Sequence, residues 1–147
     1  MPIRVLALDL ERTLLSDALH REPRPGLYDF LLFCCDRFER VVLFTSVNKP
    51  QALAALQECA NQGHVPQEFM DRLEYVEWEG MYKDLRFVPN ATTSEVLIVD
   101  DDGGWIRADQ QQQWIGIAEY DPYLVKGEDQ EFVRVRRVLE ERIQHAA

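Results

Sequence analysis

The sequence is short of positive charge. Only 16 Lys and Arg stand against 26 Asp and Glu in 147 residues, a formal net charge of −10. A chain this acidic repels a phosphate backbone at long range, which argues against nucleic acid and anionic membranes as partners and leaves room only for a small local basic site. Long apolar runs are lacking as well. None approaches the roughly 20 residues that a spanning helix needs, so no membrane partner is expected. The opening Met1-Pro2-Ile3-Arg4-Val5-Leu6-Ala7-Leu8-Asp9 turns acidic too early for a signal peptide, and a cytoplasmic location is the expectation. Cysteine is scarce: three residues, Cys34, Cys35 and Cys59, an odd count with two adjacent. That excludes a disulfide framework or zinc site and leaves reduced thiols packed on helices. His20, His64 and His145 lie too far apart to share a metal, and repeats are absent.

What is present is an ordinary globular composition, 46% apolar and 29% charged. The length fits one domain, residues 1–147, since about 100–150 residues is the commonest domain size. Three short aliphatic runs share a pattern. Ile3 to Leu8 stops at Asp9, Val41 to Phe44 stops at Thr45-Ser46, and Val96 to Val99 stops at Asp100-Asp101-Asp102. Continuous short runs of this kind suit strands buried on both faces of a parallel sheet. Helical spacing appears between them, at Leu27, Phe30, Leu31, Cys34 and Phe38 after Pro25-Gly26. It recurs at Leu53, Leu56 and Ala60 after Pro50, with Gly63 as C-cap. Leu73 to Trp78 reads as a weaker strand and Trp114 to Ala118 as a late one. Phe132, Val135, Leu139 and Ile143 form the apolar stripe of a C-terminal helix. Its arginines, Arg134, Arg136 and Arg137, read as a solvated face or as a docking patch for an acidic partner. The alternation predicts an α/β fold, a Rossmann-like three-layer α/β/α sandwich with a mainly parallel central sheet.

In open parallel sheets, ligands bind beyond the carboxyl ends of the strands. Asp9, Thr45, Ser46, Asp100 and Asp101 all fall at such ends. A single strand-end Asp is most simply a cap or turn former; three polar strand ends on one edge point to a site. Converging carboxylates repel one another unless a cation sits between them, and an all-oxygen set suits Mg²⁺.

These residues carry a resemblance. Asp9-Leu10-Glu11-Arg12-Thr13 resembles motif I of the haloacid dehalogenase (HAD) superfamily, Asp-x-Asp-x-Thr. Val-Val-Leu-Phe-Thr45-Ser46 resembles motif II, Lys83 in Tyr82-Lys83-Asp84-Leu85 resembles the motif III lysine, and Val-Leu-Ile-Val-Asp100-Asp101 resembles motif IV. Arg24-Pro25-Gly26 with Phe30-Leu31 is similar to a segment of the NLI-interacting-factor-like (FCP/SCP-type) phosphatases. The resemblance implies a phosphoric monoester hydrolase that forms an aspartyl-phosphate on Asp9. It implies Glu11 as general acid and base, and Thr45, Ser46 and Lys83 as phosphate-binding residues. It implies Mg²⁺ held by Asp9, the backbone carbonyl of Glu11, Asp100 and Asp101. It also implies a HAD-like core without a cap domain, since the intervals after motif I and after Lys83 are too short for a folded lid. Capless members tend to act on large phosphorylated substrates, including phosphoproteins. The insert that the FCP-type subgroup carries after motif I has no room between Ser16 and Glu22.

The departure is Glu11, where the family usually has Asp. Glutamate does the same chemistry at a similar pKa but is one methylene longer, and a misplacement of about 1 Å can cost about 100-fold. Glu11 therefore allows a working acid/base, a slowed enzyme with a longer-lived phospho-Asp9, or a catalytically impaired binding or regulatory module. A phospho-receiver domain needs a similar residue set in another order, with its acid pair first.

Overall fold

The computed structural model describes residues 2–123 and 129–146. Five strands form one sheet: β1 (Val5–Leu8), β2 (Arg40–Leu43), β3 (Glu74–Tyr75), β4 (Val96–Asp100) and β5 (Trp114–Gly116). Their order is β3-β2-β1-β4-β5, and every pairing is parallel. The central strand pairs Leu6 with Val41 on one side and with Leu97 on the other. β1 and β4 are buried along their whole length, as expected of strands covered on both faces. The two edge strands are only two and three residues long, which limits exposed pairing edges. The weak strand expected over Leu73 to Trp78 thus shrinks to a single pair of residues.

Among the described residues, four α-helices accompany the sheet: α1 (Leu27–Arg37), α2 (Lys49–Asn61), α3 (Gln67–Arg72) and α4 (Glu131–Ala146). All four pack on one face, where Leu6, Leu8, Val41, Leu43, Leu97 and Val99 meet Phe30, Leu56, Phe69 and Phe132. The opposite face, Val5, Ala7, Val42, Val96 and Ile98, is covered by Leu85, Val88 and Ile106, which stand on or beside 3₁₀ turns. The third layer is therefore built of 3₁₀ turns rather than α-helix. Topology gives the reason. Parallel crossovers are right-handed, so those leading from β1 outward through β2 to β3 lie on one face. Those leading the other way, to β4 and β5, lie on the opposite face. The two connections on that second face, residues 76–95 and 101–113, carry the helix breakers Gly80, Pro89, Gly103 and Gly104, and they form turns instead of helices.

Local chemistry sets the helix ends. Gly26, with φ 84°, is the N-cap of α1, a left-handed conformation that glycine adopts freely. The last carbonyls of α1 are satisfied by Arg72 of α3, whose guanidinium donates to Cys35 O at 2.6 Å and to Phe38 O at 3.0 Å. Asn48 caps α2 by accepting from Gln51 N at 3.0 Å. Gly63 closes α2, its N–H donating to Ala60 O while His64 N donates to Cys59 O, a Schellman arrangement. The buried stripe of α2 is Ala52, Ala55, Leu56 and Cys59, with Leu53 and Ala60 only half-buried. This is a rotation from the expected face, and it sets small residues toward the core. The three cysteines are free and buried, on α1 and α2.

Arg134, Arg136 and Arg137 of α4 are all exposed and make different contacts. Arg134 donates to Glu131 and to Gly116 O, Arg136 lies 4.7 Å from the centroid of the Phe33 ring, and Arg137 is exposed with no ion pair among the described residues.

Candidate active site

The order of strands reverses between β1 and β4, so their carboxyl ends open the crevice where open α/β sheets bind ligands. Asp9 follows β1 and donates its backbone N–H to Val99 O at 3.0 Å, which ties the end of β1 to the end of β4. On the other side, Phe44 N donates to Leu8 O at 2.8 Å and brings Thr45 to the same edge.

Asp9 is nearly buried, and both of its oxygens are engaged. Oδ1 accepts from Lys83 Nζ at 2.8 Å and Oδ2 from Thr13 Oγ1 at 2.9 Å. Lys83 also donates to Asp100 Oδ2 at 2.6 Å, so a single ammonium, 2% exposed, bridges two buried carboxylates. Burial works against that charge, but Asp9 and Asp100 outweigh it and raise the lysine pKa. Thr13 Oγ1 lies 3.3 Å from Asp101 Oδ1 as well. Asp9, Asp100 and Asp101 each offer an oxygen within 4.8 Å of the others.

One lysine does not balance three carboxylates. Burial, followed by the Asp9 charge, pushes the Asp100 carboxyl up to about 6 despite the lysine. Burial, then a hydrogen bond shared with Asp9 and the charges of Asp9 and Asp100, pushes Asp101 up to about 7. The cluster has an unmet demand for positive charge. It offers only oxygen ligands, with no thiolate or imidazole, and this donor chemistry fits a hard divalent cation such as Mg²⁺.

Other expected residues lie around this centre. Thr45 is buried, its Oγ1 accepting from Val47 N at 3.1 Å and its carbonyl from Trp78 Nε1 at 2.8 Å. Ser46 is exposed. Glu11 is half-buried, and its Oε2 accepts from Ala18 N at 2.8 Å; its carboxylate stands outside the three-aspartate cluster. Glu11 and Ser46 line one open cleft of about 480 Å³. Arg12, the charge beside motif I, makes an exposed ion pair with Glu119 and no other among the described residues.

The loops that present these groups rest on residues that sequence reasoning did not assign. The Lys83 loop is held by Lys83 N donating to Trp105 O at 2.7 Å. Gln110 fixes the next turn, accepting from Leu85 N and donating to Asp84 Oδ1, both at 2.8 Å. Asp84 also pairs with Arg86 and Arg107, and its pKa is lowered first by the Arg86 hydrogen bonds. The acid loop is held by Trp114, whose Nε1 donates to Asp100 O at 2.9 Å. A Cβ on Gly103 would meet that indole at 2.6 Å, so the close approach requires glycine. Thr13 was visible as the last residue of motif I, but its contact with Asp9 was not.

Comparison with known proteins bears on the fold and the family. The model of the family described as NLI interacting factor-like phosphatase matches residues 4–147. No curated protein matches the sequence. Among solved structures, fission yeast RNA polymerase II CTD phosphatase Fcp1-R271A bound to beryllium fluoride superimposes with a TM-score of 0.61 at 18% identity, covering 98% of this chain and 50% of that one. A second structure of Fcp1, described as an essential RNA polymerase II CTD phosphatase, gives a TM-score of 0.59 at 18% identity, covering 98% and 51%. At that identity the likeness establishes the fold, and the chain spans about half the length of these two relatives. With its family model covering nearly the whole sequence, the chain belongs to the NLI interacting factor-like phosphatases.

Proposed function

We propose that this chain is a Mg²⁺-dependent phosphoric monoester hydrolase that forms an aspartyl-phosphate on Asp9. The observation that carries the reading is the Asp9–Lys83–Asp100–Asp101 cluster at the switch-point edge, where one ammonium bridges Asp9 and Asp100 and a third carboxylate, Asp101, stands beside them. Asp9, Asp100, Asp101 and the Glu11 carbonyl would hold the cation. When bound, it would screen the repulsion between these carboxylates and an incoming phosphate dianion.

The chain's own residues supply the rest. A carboxylate oxygen of Asp9 attacks phosphorus; the Asp9 O–P bond forms as the bond from phosphorus to the leaving oxygen breaks. Thr13 holds Asp9 Oδ2 in place, and the Lys83 ammonium neutralises charge on Oδ1. The Thr45 and Ser46 hydroxyls donate to phosphoryl oxygens. Glu11 gives a proton to the leaving oxygen and then takes one from the water that cleaves the phospho-Asp9 bond. To do so its carboxylate must leave Ala18 N. The cleft shared by Glu11 and Ser46 opens to solvent, which supports a large phosphorylated substrate.

The hydrogen bond from Ala18 N to Glu11 favours a second reading, a site that binds phosphorylated ligands but turns over slowly or not at all. One experiment separates the two. The protein and its Asp9→Asn variant are incubated with p-nitrophenyl phosphate and Mg²⁺, with and without EDTA. Metal-dependent turnover that the variant lacks supports the hydrolase. No turnover with this or other phosphomonoesters across pH sinks it and leaves the binding module. An acid-labile phosphoprotein that decays slowly after treatment with a small phosphodonor would place the block at hydrolysis, the step that relies on Glu11.

A further inference from the structure

Arg24 is among the largest side chains in the molecule to be fully buried, yet it lies outside the acid cluster. A buried guanidinium must be compensated, and Asp129, itself 4% exposed, does so through Nε at 2.9 Å. That pair alone would neutralise the charge. The remaining donors go to backbone carbonyls. Nη2 donates to Ala118 O at 2.6 Å, and Nη1 is shared between Arg12 O and Thr13 O, both at 3.3 Å. Tyr120 and Phe132 flank the guanidinium, their ring centroids 5.4 and 5.6 Å from Cζ.

The two carbonyls held by Nη1 belong to the turn that presents Asp9 its hydroxyl partner. Arg12 has φ 62°, a left-handed conformation disfavoured for a residue with a Cβ, and among the described residues its own side chain makes only an exposed ion pair. Something other than the Arg12 side chain must hold this turn. Backbone bonds within the turn do part of this, Arg12 N donating to Leu15 O at 2.7 Å and Leu14 N to Leu10 O at 2.9 Å; from outside it, Arg24 Nη1 reaches Arg12 O and Thr13 O, and Tyr120 N donates to Arg12 O at 2.8 Å. Thr13, the next residue, sets its Oγ1 on Asp9 Oδ2 and beside Asp101.

We propose that Arg24 is a positioning residue. Clamped by Asp129 and Ala118 O, its guanidinium holds the left-handed Arg12-Thr13 turn and thereby fixes the Thr13 hydroxyl on Asp9. The consequence for turnover rests on the phosphatase reading above; the consequence for the turn does not. Lysine cannot replace arginine here, because its ammonium can answer Asp129 but lacks the planar fork that reaches three carbonyls at once.

The test compares the whole chain with Arg24→Lys by hydrogen–deuterium exchange of the segment spanning residues 10–16, by thermal melting, and by kcat and KM for p-nitrophenyl phosphate. The expected result is exchange over 10–16 faster by roughly 10-fold while the sheet and α2 keep their protection. With it, kcat falls about 100-fold at nearly constant KM. Unchanged exchange over 10–16 overturns the proposal. So does faster exchange with kcat retained, and so does a general loss of protection with KM and kcat failing together, which marks a structural role alone. If Arg24→Lys does not fold, Asp129→Asn loosens the same clamp and must raise exchange over 10–16. If the unaltered chain turns over no phosphomonoester, faster exchange over 10–16 still supports the positioning role. It is then the phosphatase reading that has failed.

Discussion

Raising the pH in the presence of a chelator should destabilise this protein, and Mg²⁺ should reverse the effect. In an unfolded chain the aspartates titrate near 3.8; folded, Asp100 keeps its proton up to about 6 and Asp101 up to about 7. Between those limits the folded state binds more protons than the unfolded one, so stability falls as pH rises. The loss begins above pH 4 and is complete above pH 7. For Asp100, almost fully buried, the difference corresponds to about 3 kcal/mol, at about 1.4 kcal/mol per pH unit. Asp101 is half-buried and solvent screens much of its share, so it adds less. The two titrate as one system rather than independently. At roughly 2–4 °C per kcal/mol for a chain of this size, the melting temperature should drop by roughly 6–12 °C across the range. The assay is thermal denaturation in EDTA from pH 4 to pH 8, repeated with excess Mg²⁺ and with the Asp101→Asn variant. The variant should show a shallower fall, and Mg²⁺ should flatten the curve by stabilising the ionised form. Carboxylates held low in the folded state, such as Glu95 and Glu131, add stability up to about pH 5.5, so the deciding interval lies above it: a melting temperature in EDTA that stays level or rises from about pH 5.5 to pH 8 would refute the idea that the cluster is short of positive charge.

Two further outcomes follow from the loops. Gly103→Ala puts a Cβ at 2.6 Å from the Trp114 indole. It should destabilise by about 1–3 kcal/mol in urea denaturation and weaken Mg²⁺ binding in a titration; an unshifted midpoint would mean that the indole yields freely. Glu11→Gln keeps an acceptor for Ala18 N but cannot transfer a proton. Steady-state kinetics should show kcat lower by about 10²–10⁴-fold. The melting curve should move by no more than about 1 kcal/mol.

The strands and their polar ends were legible because the physics is local. A run such as Val96 to Val99 has no solvent-facing alternation, and the acids that follow it interrupt burial abruptly. The sequence alone therefore puts Asp9, Thr45 and Asp100 on one edge. The supports of the site were not legible because they are contacts across long sequence separations. Arg24 reaches Ala118 and Asp129, Trp114 reaches Asp100, and Gln110 reaches Asp84. No periodicity marks such residues. Gln110 sits in a polar run with nothing to distinguish it from Gln111 or Gln112, yet it alone of the three is buried. The short α3 buries only Phe69 within its span, too little for a helical pattern to show. Glu11 was recognisable as a departure, but its bond to Ala18 N depends on how the chain turns after Leu15.

The parallel pairing of β1 with β4 also bears on kinetics. β1 and β2 are joined through α1 alone, whereas β4 reaches β1 only after β2, α2, α3 and β3 have been laid down. Closing the longer loop carries the larger entropic penalty, by roughly 1 kcal/mol, which modestly favours a route on which β4 joins after the β1–β2 pair. On that route Asp100 and Asp101 approach Asp9 after the β1–β2 pair has formed. Repulsion that arises after the transition state leaves the folding rate nearly unchanged and speeds unfolding. Removing a bound divalent cation would then shorten the lifetime of the native state without impeding its formation, and the centre would act as a latch between the ends of β1 and β4 once they have paired.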